Sequence, residues 1–457
     1  MATTQPTDFS PSNFKGNRAS IDNYIALGDY IEFVNKVDNR DKLVRTYGDQ
    51  SVSGLNGLLE LVGAVRQEAT HDFVQWWEET RLHAAITATA DGAIAATDTG
   101  AKSFDIVASD AKHNVIKVGD VLLLEGYVRA YVTAVSGLTI TALPYKATWG
   151  ITKADAASVK MALIGNEFKQ GSDQPGDFVG SNVVKRENTF SIIKSIFAVT
   201  GSQMTNIAWV QDPESGKPMW YLKQEADVRQ RFADYQEMML VLGEKAANTT
   251  LSGSSYDING AEGLFSAVEN RGIVHGGYVD QLSEIDDIIK ALDKQGGAME
   301  YAVYGNRTQM LNLDDLIAAA NNGAGANGSS FGVFNNDANM AVTLGFKSFN
   351  RGGYTFHNKS WKLLNEPTLL GVAGADHYKF IMIPMDSVVD AKTGIAAPSL
   401  EKNYKAADGY SREMEHWLTG GARGVYNDTV DRLQMNYRSE CNLVTRAANR
   451  FVLGKGA

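Results

Sequence analysis

Side chains able to do chemistry are few in this chain and widely scattered. Seven histidines are present: His71, His83, His113, His275, His357, His377 and His416. None forms His-Glu-x-x-His and no two stand four residues apart, so a helix-borne zinc pair has no place. Cys441 is the only cysteine. That excludes an intrachain disulfide and any metal site needing two thiolates. The residue sits in an alternating apolar stretch and reads as a buried, inert thiol. Asp376-His377 offers two members of a hydrolytic triad, but no Gly-x-Ser-x-Gly elbow supplies the nucleophile. Glu78 and Glu79 are adjacent and point to different sides of a strand or helix, whereas acid/base carboxylates must face one bond. No phosphate-cradling Gly-x-x-x-x-Gly-Lys-Ser/Thr loop occurs. Gly420–Val425 (GGARGV) reads as a glycine turn, because the preceding EMEHWLT does not look like a strand. The expectation is a chain with no catalytic residue, no metal site and no cofactor.

What the chain does carry is bulk for packing and contact. Its 457 residues include seven tryptophans, with 44% hydrophobic and 21% charged residues, and fit two or three globular lobes. Trp76 and Trp77 are adjacent and read as packing or interface anchors. The net charge of −10 speaks against tight binding of nucleic acid through phosphates, which needs a basic surplus. No apolar run approaches the ~20 residues that span a bilayer, and the first residues lack the basic and apolar regions of a signal peptide.

The elements follow in a definite order. A polar segment over the first 20 residues reads as an extended arm, followed by helical patches from Ile21 to Val44 and from Leu55 to Val65. From about Ala84 the composition turns to Ala, Thr, Gly and Val. Tyr127, Arg129, Tyr131 and Thr133 alternate with Val128, Ala130, Val132 and Ala134, a period of two. Ser136-Gly137 marks a hairpin turn. Residues 84–161 are therefore expected to form an inserted all-β module. The stretch from Gly165 to Asn206 reads as a long hairpin-like excursion. It leads into a rod helix with apolar residues at Val228, Phe232, Tyr235, Met239, Leu242 and Ala246. Glu225 with Arg229, and Asp227 with Arg231, should support that helix at i,i+4, and Asn248 should end it. A second helix opens at Ser283 with Asp286 three residues on. YAVYGN, from Tyr301, is a buried strand, and NRTQMLNLDDLIAAA, from Asn306, is a helix. The loop from Asn321 to Gly332 is a lid, an assembly loop at a symmetry axis, or a mobile segment. The C-terminal stretch returns to a sheet.

This order resembles the HK97-like fold of tailed-bacteriophage major capsid proteins, an α+β architecture of N-arm, extended loop, spine helix, peripheral domain and axial domain. Asn188, Thr189, Ile192 and Val199 to Ser202 look like that family's extended-loop return strand, and EADVRQRFADYQEMMLVLGEKAAN resembles its spine helix. The resemblance implies an N-terminal arm over 1–65, an extended-loop region over 66–83 and 162–220, and the inserted β module over 84–161. It places a peripheral domain with the spine helix in 221–299 and 425–457, and an axial domain in 300–424. The implied function is self-assembly into hexamers and pentamers of an icosahedral head around double-stranded DNA, with a portal protein at one vertex. A separate scaffolding protein is expected, because no long acidic helical leader opens the chain. Decoration or auxiliary capsid proteins, DNA held without sequence specificity, no membrane, and location in the virion complete the expectation. Assembly residues expected on this basis are Trp76, Trp77, Lys169, Arg186, Asn322 and Asn327. An encapsulin-like shell and a tail tube or sheath protein are the alternatives.

Overall fold

Period-two alternation around Tyr131 is the local cause of the most regular part of the molecule, a closed barrel. The computed structural model describes residues 54, 55, 59, 65–81, 83, 85–110, 115–174, 182–206, 220–254, 256–322, 348–366, 377–389, 394 and 396–456. The arm over 1–20, the helical patches of Ile21 to Val44, Asp376 and all but the first two residues of the Asn321–Gly332 loop lie outside them.

Along the chain the first strands are β1 (Val65–Ala69), β2 (Phe73–Glu79), β3 (Ala85–Asp91), β4 (Lys102–Ile106), β5 (Asp120–Leu124), β6 (Val128–Ser136), β7 (Thr139–Pro144), β8 (Ser158–Asn166), β9 (Val183–Thr189) and β10 (Ser191–Thr200). A helical turn at Gly201–Met204 precedes α1 (Trp220–Leu242), α2 (Leu264–Arg271), β11 (Ile273–Gly276), α3 (Leu282–Lys294), β12 (Glu300–Gly305) and α4 (Arg307–Asn322). Then come β13 (Ser348–Arg351), β14 (Tyr354–Ser360), β15 (Tyr378–Pro384), β16 (Ser387–Val389), β17 (Ala396–Pro398), β18 (Leu400–Ala407) and β19 (Tyr410–Ser411). The last strands are β20 (Glu415–Gly420), β21 (Arg432–Thr445) and β22 (Val452–Lys455).

The chain divides into two compact units. The smaller draws on Ile192–Met238 and Ser411–Glu440. Here β10 and β20 flank the first part of β21, with Phe197, Val199 and Leu433 buried between them and Val228 of α1. Helix α1 is the expected rod, but its buried row differs from the one expected. Phe232 and Leu240 are buried with Val228 and Gln236 half-buried, while Tyr235 and Met239 are exposed. Gln236 takes the inward place because its amide donates to Glu413 O at 2.8 Å and Ser439 Oγ at 2.6 Å. The acidic members of the expected charge pairs have further partners: Tyr437 donates to Glu225 at 3.0 Å and Lys223 bridges Asp227 at 2.7 Å. The helix stops at Leu242 rather than near Asn248. A side chain on Gly243 would collide with the carbonyls of Met239 and Ala261 at 2.4 and 2.6 Å, and only glycine permits that approach.

In the larger unit β3-β4-β7-β6-β5-β8 close into a barrel. Its interior is Ile86, Ala88, Phe104, Leu122, Ala130, Val132, Ile140 and Trp149, with others of that kind. The inward half of the alternation at Ala130 and Val132 is fully buried, as strand geometry requires. The barrel runs to Asn166, past the expected edge at Met161, and the β6–β7 turn is Gly137-Leu138, one residue later than expected. A second sheet, ordered β11-β22-β15-β12-β14-β13, mixes parallel and antiparallel pairs. Ile285, Ile288 and Leu292 of α3 and Leu313 of α4 cover it together with Tyr301, Phe356 and Phe380. Parallel β1–β18 and antiparallel β18–β21 (Leu400 opposite Thr445) form a third element.

Helix α3 starts earlier than its expected cap. Glu284 accepts the backbone N–H groups of Asp280 at 2.9 Å and Gln281 at 3.2 Å, closing the helix start at Gln281. Asp286 instead forms a two-pronged pair with Arg351 at 2.5 and 2.7 Å. That guanidinium holds the Asp286 carboxyl below its ordinary value. A lowered carboxyl pKa stabilises the fold above the unfolded value, and the gain disappears as pH falls through the folded one. The melting difference between wild type and Arg351→Met should be constant at neutral pH and shrink as pH drops below ~3.9. A difference unchanged at acid pH would disprove the pairing.

Candidate assembly site at the root of a two-stranded ribbon

Strands β2 and β9 pair antiparallel with Trp76 opposite Arg186 and Trp77 opposite Lys185. Successive side chains on a strand face opposite ways, so the two tryptophans are separated by one peptide and by the whole ribbon. Trp76 is 7% exposed and Trp77 65%. The inner face carries Trp76, Glu78, Arg186 and Asn188; the outer face carries Phe73, Trp77 and Val183, each about half exposed or more. Among the described residues the ribbon has no third strand, and both edges are open. An isolated pair of strands is marginal in water, so its root must be fastened elsewhere.

Five groups do the fastening. Glu78 accepts the Trp76 indole N–H at 3.1 Å, Arg186 Nε at 3.4 Å and the backbone N–H of Ala447 at 3.1 Å. Asn188 is fully buried. Its amide donates to Glu262 O at 2.9 Å and Leu443 O at 2.8 Å, and its carbonyl accepts Glu262 N–H at 2.8 Å. Thr189 donates to Gly260 O, and Lys245 Nζ donates to Glu187 O at 2.8 Å. Asn188 and Thr189 thus hold the Phe73 end of the ribbon, while beyond the Glu78 end Arg81 donates to Lys294 O and to Gln295 Oε1 at 3.1 Å, a cation at the carbonyl end of α3.

Beside this root lies an open cleft of about 270 Å³ lined by Glu78, Arg81, Arg186, Arg271 and Asn449 among others. Its acids and bases are engaged with one another or with backbone: Arg186 on Glu78, and Arg271 on Glu262 at 3.0 Å. The cleft holds no histidine, serine or cysteine. The geometry is suited to fixing a ribbon in place, with no nucleophile beside a base. Among the described residues no three His, Cys, Asp or Glu side chains gather as a metal would need.

Of the six expected assembly residues three lie on the ribbon: Trp76 and Arg186 opposite each other on its inner face, and Trp77 on its outer face. Lys169 is exposed in a turn after the barrel, where its carbonyl accepts Ser172 Oγ at 2.9 Å. Asn322 is the last residue of α4, and Asn327 lies outside the described residues. Glu78 was not expected as a clamp. Its side of the strand was readable from the Trp76–Glu78 spacing, but its partner Ala447 is 369 residues away and leaves no local signal. Two other expectations meet the structure differently. EHWLTG is a strand after all (β20), yet Gly420 leads into a hairpin returning as β21 and not into a helix, so no phosphate cradle forms. Cys441 is buried in β21, as expected.

No protein-family model matches the chain, and no curated protein matches it. Among solved structures it is similar to the capsid of cyanophage P-SCSP1u, with 8% identity, 100% of this chain and 99% of that one covered, and a TM-score of 0.40. A chain from Microbacterium phage Oxtober96 aligns with 8% identity over 95% of this chain and 100% of its own, at a TM-score of 0.39. The holo-SrpI encapsulin complex of Synechococcus elongatus aligns with 10% identity over 60% of this chain and 77% of its own, at 0.32.

Proposed function

We propose that this chain is the major capsid protein of a tailed bacteriophage, a non-enzymatic subunit of HK97-like fold that self-assembles into the icosahedral head around double-stranded DNA. The observation that carries the reading is the ribbon: a two-stranded element clamped at both ends, with no third strand among the described residues and an outer face of Phe73, Trp77 and Val183 left bare. An exposed tryptophan on a braced arm is a costly feature for a solitary protein, and a useful one for gripping a neighbour. In this reading 66–83 and 162–220 form the extended loop, α1 the spine helix, 300–424 the axial domain and 84–161 an inserted module. The work is mechanical. Each subunit lays its ribbon on the next, and closed symmetry turns many modest contacts into a shell. Hexamers and pentamers, a portal at one vertex, a separate scaffolding protein and auxiliary proteins belong to the same proposal, as do location in the virion and DNA enclosed without sequence-specific contacts.

Negative-stain microscopy of the purified chain, alone and co-expressed with its scaffolding protein, tests it. Closed icosahedral particles are expected. Tubes would favour a tail role, and a chain that stays monomeric in both settings would overturn the reading.

A further inference from the structure

The ribbon does not account for the barrel, whose outer surface carries Tyr127, Tyr131 and Tyr145. Along β6 the outward positions are Arg129, Tyr131 and Thr133, and Tyr127 stands at the tip just before them. Leu143 lies opposite Tyr131, and the Tyr145 N–H reaches Arg129 O at 3.0 Å, so these residues form one continuous face. Tyr127 is 85% exposed, Tyr145 49% and Leu143 38%. Tyr127 also holds a left-handed backbone, φ +60°, beside Gly126 at +84°. A bulky residue in that region is rare, and it keeps the ring projecting from the tip. Both signs of charge border the patch: exposed Arg129, and Glu167, which accepts the Tyr145 hydroxyl at 2.5 Å.

Charge indicates the occupant. Between Ala85 and Asn166 the sequence holds seven acidic and seven basic residues, so the whole surplus of −10 lies outside the barrel. Two copies repel across most of their surface, but not barrel to barrel. A face with an aromatic centre and both charges at its border is self-complementary, as a two-fold contact demands. Tyrosine and arginine are also the residues enriched where such contacts hold best.

We propose that the Tyr127–Tyr131–Tyr145 face binds the same face of a second copy, with Arg129 of each copy meeting Glu167 of the other. This rests on the shell reading and names a contact that the ribbon cannot make. The test uses the full chain. Tyr127→Cys supplies an exposed thiol in a protein whose own Cys441 is buried. In assembled particles a short bismaleimide should join the copies of this variant into covalent dimers. Arg129→Glu and Glu167→Arg, each checked for an unchanged melting temperature, should each weaken assembly by about tenfold in the concentration required. The double variant should regain it. Particles that form normally from Arg129→Glu, and give no dimers from Tyr127→Cys, would overturn the barrel contact and leave the shell standing. A wild-type chain that never associates would overturn both.

Discussion

Replacing Asn188 with alanine is expected to destabilise the larger unit by about 3–6 kcal/mol, a large fraction of the 5–15 kcal/mol that holds a typical domain together. Asn188 is fully buried and serves three backbone groups at once, Glu262 N–H, Glu262 C=O and Leu443 C=O. Alanine leaves all three in a dry site without the amide that served them, and an unmade buried hydrogen bond costs about 1–3 kcal/mol. Asn188→Asp should be at least as damaging at neutral pH, since it sets a carboxylate against two carbonyl oxygens. Urea unfolding curves check this: a midpoint for Asn188→Ala equivalent to a loss below ~1 kcal/mol would mean that the ribbon root is held by something else.

The second large effect separates neighbours. Trp76→Ala should cost about 3–5 kcal/mol of stability, because it opens a cavity and removes a hydrogen bond to Glu78. Trp77→Ala should leave melting within ~0.5 kcal/mol of wild type, as exposed positions do. Under the shell reading it should nevertheless prevent assembly at concentrations where the wild type closes. A hot-spot tryptophan is worth about 2 kcal/mol or more at each contact, and a shell repeats the contact many times. Melting curves and sedimentation of both variants decide it. Equal melting losses for the two would contradict the division of the ribbon into inner and outer faces. Normal particles from Trp77→Ala would remove the outer face from the assembly contact.

Much of this architecture was legible in the residues because its causes are local. Alternation at Val128–Ser136 dictated a strand, and the apolar row from Val228 to Ala246 dictated a helix, which in the structure ends at Leu242. Even the opposition of the two tryptophans follows from strand geometry once β2 is known to be a strand.

Tertiary structure decided what depends on partners far along the chain. Which face of β2 turns inward was set by Leu443 and Ala447, the distant partners of Asn188 and Glu78, brought there by the third element and the C-terminal segment. The row that α1 buries was set by Ser439 and Glu413, which gave Gln236 an inward place that its polarity would not suggest. Helix α1 ended at Gly243 because another backbone crosses there. The Tyr127 face became a single surface only when β6 and β7 paired within a closed barrel. Periodicity is a property of neighbouring residues and can be read in one dimension; burial, clamping and surface continuity arise between distant segments and exist only once the chain has folded.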